Sequence, residues 1–136
     1  MSIRRLGLAA TAAVIAAACT ESLRIPRAEG GPLGPSVWGG QEAGLVVTDT
    51  GATAQFACAV GTISGAIVRD AAGHFRVPGI YALTPGPAYL PHPATYDGTV
   101  VGDAMALSVI VPEVSAQPVG PFALVRGRPF TGPVCL

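Results

Sequence analysis

After residue 19 the chain has no stretch in which apolar residues recur with a period near 3.6 over the ten or more positions a helix needs. Short period-two runs take its place, separated by glycine, proline and aspartate. Residues 104–111 show this most clearly. Met105, Leu107, Val109 and Val111 alternate there with Ala104, Ala106, Ser108 and Ile110, so each set falls on its own face of a strand. A turn at Gly102-Asp103 joins this run to a partner over residues 94–101. Such patterning confines the chain to the all-β class.

The remaining runs repeat the pattern. Residues 44–48 read as a strand, and Asp49-Thr50-Gly51 is a tight turn. Residues 52–59 then return with Ala52, Ala54, Phe56 and Cys58 on one face. A third strand over residues 61–68 bends near Gly65. The next covers residues 74–83 and is interrupted by Pro78-Gly79, which places it at an edge or a bulge. A last strand spans residues 121–127. About seven or eight strands at spacings near a dozen residues predict an antiparallel meander, as a barrel or a two-sheet sandwich. The chain is 50% hydrophobic and only 12% charged, which argues against disorder although Gly and Pro total 31 of 136 residues. So apolar a chain gains from closing its sheet, because closure removes the exposed edges that aggregate. A closed barrel is therefore favoured over a sandwich.

The N-terminus carries a different signal. Arg4 and Arg5 precede an uncharged apolar run over residues 6–18, which ends on Ala16-Ala17-Ala18-Cys19. Thirteen helical residues span about 20 Å, short of a bilayer core of roughly 30 Å. A basic start, a short apolar stretch and small residues before a cleavage point make a secretory signal peptide over residues 1–18. Ala16-Ala17-Ala18-Cys19 resembles the lipobox of bacterial lipoproteins, with Ala16 where Leu is most common. That resemblance implies acylation of Cys19 and attachment to the cell envelope membrane on the extracytoplasmic side. Simple cleavage without lipid would instead give a secreted or periplasmic protein. The chain has three cysteines, Cys19, Cys58 and Cys135. A lipidated Cys19 leaves an even pair, so Cys58 and Cys135 are expected to form a disulfide in an oxidising compartment. Residues 19–37, rich in Pro and Gly and without apolar periodicity, read as the lipidated cysteine and a flexible tether. The β-domain is then residues 38–136.

This domain opens with Trp38-Gly39-Gly40 and continues as a meander of short strands. The layout resembles small exported bacterial lipoproteins with lipocalin-like β-barrels, which implies a barrel able to hold a small apolar ligand. It is also similar to conserved exported families of uncharacterised function, and that similarity implies no activity. The most unusual stretch is residues 84–95, twelve residues with four prolines that carry Tyr89, Leu90 and His92. Long loops of this kind in small domains tend to be functional or disordered. Read as a lid over a barrel mouth, it would offer Tyr89 and His92 to a ligand, with Tyr81 and Tyr96 on the barrel wall. The plainer reading is a stiff connector, with both wall tyrosines in the core.

Other constellations are weak. His74 and His92 lie 18 positions apart, outside any metal-ligand spacing even with Asp70 or Asp97 added, so no metal is expected. Ser64 lacks the G-x-S-x-G spacing of a nucleophile elbow. Cys58 has no basic neighbour to stabilise a thiolate. Arg126 and Arg128 read as solvated charges that discourage edge pairing, with an anion site as the sharper alternative. No phosphate-binding or dinucleotide fingerprint occurs, and a formal charge of zero gives no reason to expect nucleic acid. The sequence thus points to a non-enzymatic, cofactor-free envelope domain whose partners are the membrane, through its lipid, and a small apolar ligand or an envelope protein. The alternative is a purely structural or assembly role with no ligand pocket.

Overall fold

The computed structural model describes residues 25–84 and 90–135. Among the described residues there is no helix. The strands are β1 (Gly31–Pro32), β2 (Ser36–Gly39), β3 (Ala43–Thr48), β4 (Gly51–Phe56), β5 (Ala59–Ser64), β6 (Val68–Arg69), β7 (His74–Leu83), β8 (Pro91–Val101), β9 (Ala104–Ile110) and β10 (Val119–Arg126). Eight of them close into an antiparallel barrel in the order β10-β2-β3-β4-β5-β7-β8-β9, while β1 and β6 pair as a separate ribbon. The all-β closed barrel expected from the patterning is the fold. The sandwich is not.

Alternation decides which side chains enter the barrel. On β9 and just beyond it, Met105, Leu107, Val109 and Val111 are buried, whereas Ala104 and Ala106 are exposed and Ser108 and Ile110 are half-buried. Trp38, Leu45, Phe75, Tyr96, Leu107 and Leu124 fill the middle, as an eight-stranded barrel of this diameter allows. Burying one such side chain contributes roughly 1.5–3 kcal/mol. The Tyr96 hydroxyl donates to the Ile80 carbonyl at 2.7 Å, so its polar end is satisfied inside the core.

The two ends of the barrel differ. At one end the β1–β6 ribbon folds across the opening, with Leu33 and Ile67 buried beneath it. At the other end lie the turns after β2, β4, β7 and β9. The chain leaves β10 at the end that β1 and β6 cover, beside the β8–β9 turn, where the Arg126 N–H donates to the Asp103 carbonyl at 2.9 Å. It turns back at Gly127 and crosses the outside of β2 and β3 over Gly39 and Gly44, where any Cβ would collide with Arg128, Pro129 or Phe130. It then returns to β4–β5, where the Cys135 N–H donates to the Ala57 carbonyl at 2.7 Å and Cys135 is bonded to Cys58. The seam that closes the barrel is narrow, with β10 meeting β2 only through Val125↔Gly39 and Arg126↔Trp38.

Several details depart from the sequence reading. Among the described residues pairing begins at Gly31 and not at Trp38, so the C-terminal part of the expected tether belongs to the folded body. The strand read over residues 61–68 is two strands, broken at Gly65, whose φ of 114° suits only glycine. The run over residues 52–59 is also broken, by a two-residue turn at Ala57-Cys58, so Cys58 is exposed in a turn and does not face inward. Pro78 sits within β7 two residues before Ile80, the first β7 residue to pair with β5. Its missing N–H therefore falls at a local edge.

Candidate functional site

The open end of the barrel carries a solvent-facing cleft of about 660 Å³. Its floor is aromatic: Phe56 stands with its ring centroid 5.4 Å from that of Tyr81 and 5.4 Å from that of Phe122, at tilts of 52° and 46°. Phe56 and Tyr81 are inward residues at the ends of β4 and β7. Phe122 reaches the same cluster from β10, after a register shift between Val119 and Phe122. Tilted pairs at this distance suit the ring quadrupoles. One wall of the cleft is Ala57 and Cys58, and the returning tail supplies Thr131, Gly132 and Pro133. The disulfide therefore holds two parts of the wall together, with Cα atoms 5.0 Å apart, inside the range such a bond requires.

Polar groups are few. Gln41, Glu42 and Thr131 are the polar side chains of the wall and rim, and among the described residues no arginine, lysine or histidine lines the cleft. The Tyr81 hydroxyl has no hydrogen-bond partner among the described residues, although the residue is only 6% exposed. Burial raises its pKa above the usual 10.0, because the phenolate loses hydration there. At neutral pH it is thus an uncharged phenol, able to donate or accept one hydrogen bond. A single acidic rim residue and no cation make the cleft better suited to a neutral or cationic apolar molecule than to a carboxylate.

The expected site residues fall in different places. Tyr81 lines the cleft. His92 is its direct partner in the β7–β8 ladder, but its Nδ1 lies 2.8 Å from Glu113 Oε2 and it takes no part in the lining. Tyr96 is fully buried, with its hydroxyl engaged inside the core, so the plainer core reading applies to it. Tyr89 and Cys19 lie outside the described residues. The loop expected over residues 84–95 is shorter than it looked, because β8 begins at Pro91. Pro91 and Pro93 are tolerated there because β9 first meets β8 at Thr95↔Ile110. Their missing N–H groups have no ladder to interrupt on that side.

The other constellations do not assemble. His74 lies at the far end of the β7–β8 ladder from His92, with Nε2 at 3.0 Å from Asp97 Oδ1, and Asp97 also accepts from Arg76 at 3.3 Å. Among the described residues no three His, Cys, Asp or Glu side chains gather as a metal site. Ser64 is exposed at the end of β5. Sequence reasoning reads Phe56 as an inward strand residue and Phe122 as a core or wall residue with ligand stacking as the lesser alternative, and gives the tail over residues 131–133 no role in a site. The one available signal for the tail was Cys135, which had to return to Cys58. The chain matches no family model, and neither curated proteins nor solved structures give a significant match.

Proposed function

We propose that this chain is an exported, lipid-anchored β-barrel that holds a small neutral or cationic apolar molecule at its open end. The observation that carries the reading is the aromatic floor of Phe56, Tyr81 and Phe122 beneath an open cleft of about 660 Å³, a size within the roughly 300–1,000 Å³ typical of ligand sites. The Tyr81 hydroxyl is available to orient one polar atom of the ligand. Anchoring rests on the lipobox-like Ala16-Ala17-Ala18-Cys19 after a short apolar run. The Cys58–Cys135 bond supports an extracytoplasmic location, since such bonds persist in oxidising compartments and are rare in the cytosol.

A second reading, a structural role in the envelope without any ligand, is favoured by the filled middle of the barrel. Fluorescence titration with two apolar probes separates the two. The neutral N-phenyl-1-naphthylamine should bind with a blue-shifted emission, and the anionic anilinonaphthalene sulfonate should bind more weakly. Phe122→Ala, checked for folding by circular dichroism, should weaken the neutral probe several-fold. Failure of both probes to bind the folded protein would favour the structural role.

A further inference from the structure

The plugged end of the barrel carries a second and chemically opposite cavity, a polar groove of about 730 Å³. Three of the five arginines among the described residues line it: Arg27, Arg69 and Arg126. Once residues 1–18 are removed the chain has six arginines against eight acids, so this clustering runs against the overall balance. Two acids share the groove. Asp103 is already matched by Arg126, with Nε 3.2 Å from Oδ1, and Glu29 offsets one of the two remaining charges.

Two of the guanidinium groups are fixed in place by contacts that leave donors free. Arg69 gives Nε to the Gly31 carbonyl at 3.3 Å and Nη2 to the Pro32 carbonyl at 3.2 Å. Arg126 stacks 4.5 Å from the centroid of the buried Trp38 ring. A guanidinium has five N–H donors, so both retain several. Arg27 has no partner among the described residues and is exposed, but its neighbours are seated: Pro26 packs on Gly102 and Ala28 on Gly73. Planar, pre-positioned guanidinium groups suit the oxygens of a phosphodiester.

The geometry points to this groove as a docking site for anionic phospholipid headgroups, so that the plugged end lies against the bilayer. The choice of a bilayer rests on the proposed anchoring. Ile25, itself part of the groove wall and 77% exposed, follows Cys19 by six residues, a reach of at most about 21 Å for extended chain. An acylated Cys19 therefore holds this end near the headgroups and leaves the aromatic cleft at the opposite end, facing away from them.

Vesicle co-sedimentation of the exported chain carrying Cys19→Ser tests the groove without the acyl group. The protein should associate with vesicles of phosphatidylcholine mixed with phosphatidylglycerol and not with phosphatidylcholine alone, and added salt should release it. Arg27→Gln should weaken association about fivefold, the effect of one basic residue near an anionic surface. Arg76→Gln, on the outer face of β7, should leave it unchanged. Equal binding to both vesicles, no binding to either, or an inert Arg27→Gln would overturn the assignment. So would inorganic phosphate binding in the groove without any vesicle association. The intact mass of the native protein reads the anchor separately. Acyl mass on Cys19 with failed vesicle binding overturns the groove alone, whereas a bare Cys19 removes the bilayer as the partner.

Discussion

Phe75 occupies the space in which a Cβ on Gly98 would stand, and the two are direct partners in the β7–β8 ladder. Tyr96 does the same to Gly61 and Gly79. Large rings thus fit an eight-stranded barrel because the strands they cross have no side chain at the crossing point. The glycines on these inward faces contribute volume to the core and are not points of weakness.

Gly98→Ala should therefore destabilise by about 1–3 kcal/mol as an overpacked core site. Gly34→Ala, where an added methyl meets nothing within 4 Å, should stay within about 0.5 kcal/mol of the parent. Urea denaturation with an unchanged slope checks both. Equal costs at the two positions would contradict the packing of Phe75 on Gly98.

On β9 the expected contrast lies between neighbours. Leu107 is fully buried and Leu107→Ala should cost about 2–5 kcal/mol. The hydroxyl of the half-buried Ser108 makes no hydrogen bond among the described residues, and Ser108→Ala should cost well under about 1 kcal/mol, as surface changes do. The same denaturation series measures the difference.

The β8–β9 hairpin was legible because local signals agreed there. Alternation on β9 assigned the faces, and Gly102, at a φ of 59°, supplied the left-handed turn position. At Ala57-Cys58 nothing local marks the reversal, and alternation runs straight through it. Backbone bonds from distant residues hold that turn, from Thr84 to the Cys58 carbonyl and from Cys135 to that of Ala57. Pro91 and Pro93 misled in the opposite direction. Their cost depends on where β9 stops, which is a property of the neighbouring strand. The candidate cleft was legible only through Tyr81, because its other walls come from chain segments brought together by closure and by the disulfide.

Stability at high pH should depend on Tyr81. Burial raises its folded pKa above 10.0, so above pH 10 the unfolded chain loses its phenolic proton first. The unfolded state then binds fewer protons, and stability falls as pH rises from about 10 towards the raised folded value. Thermal midpoints measured across that range should decline less steeply for Tyr81→Phe than for the parent. Identical slopes would show that the ring is hydrated in the folded state.

Cys135→Ser should cost about 4 kcal/mol in the chain-entropy account of a 77-residue separation. Non-reducing peptide mapping should recover Cys58 and Cys135 linked in the parent. A variant as stable as the parent would mean that the tail stays seated without the bond.

The route of the tail bears on how the closed sheet can open. With two paired positions, the junction of β10 and β2 is where hydrogen exchange should breach the cylinder first. The chain leaving β10 lies across β2 and β3 and is fastened beyond them, at the turn between β4 and β5. The fastening therefore spans the weakest junction from outside, as a clasp spans the gap in a ring. While it holds, β10 and β2 separate only as far as the slack in residues 127–135 allows, and they rejoin without a search. Reduction removes that tether, so the amides of Gly39 and Val125, which face each other across that junction, should then exchange sooner than those of the β7–β8 ladder.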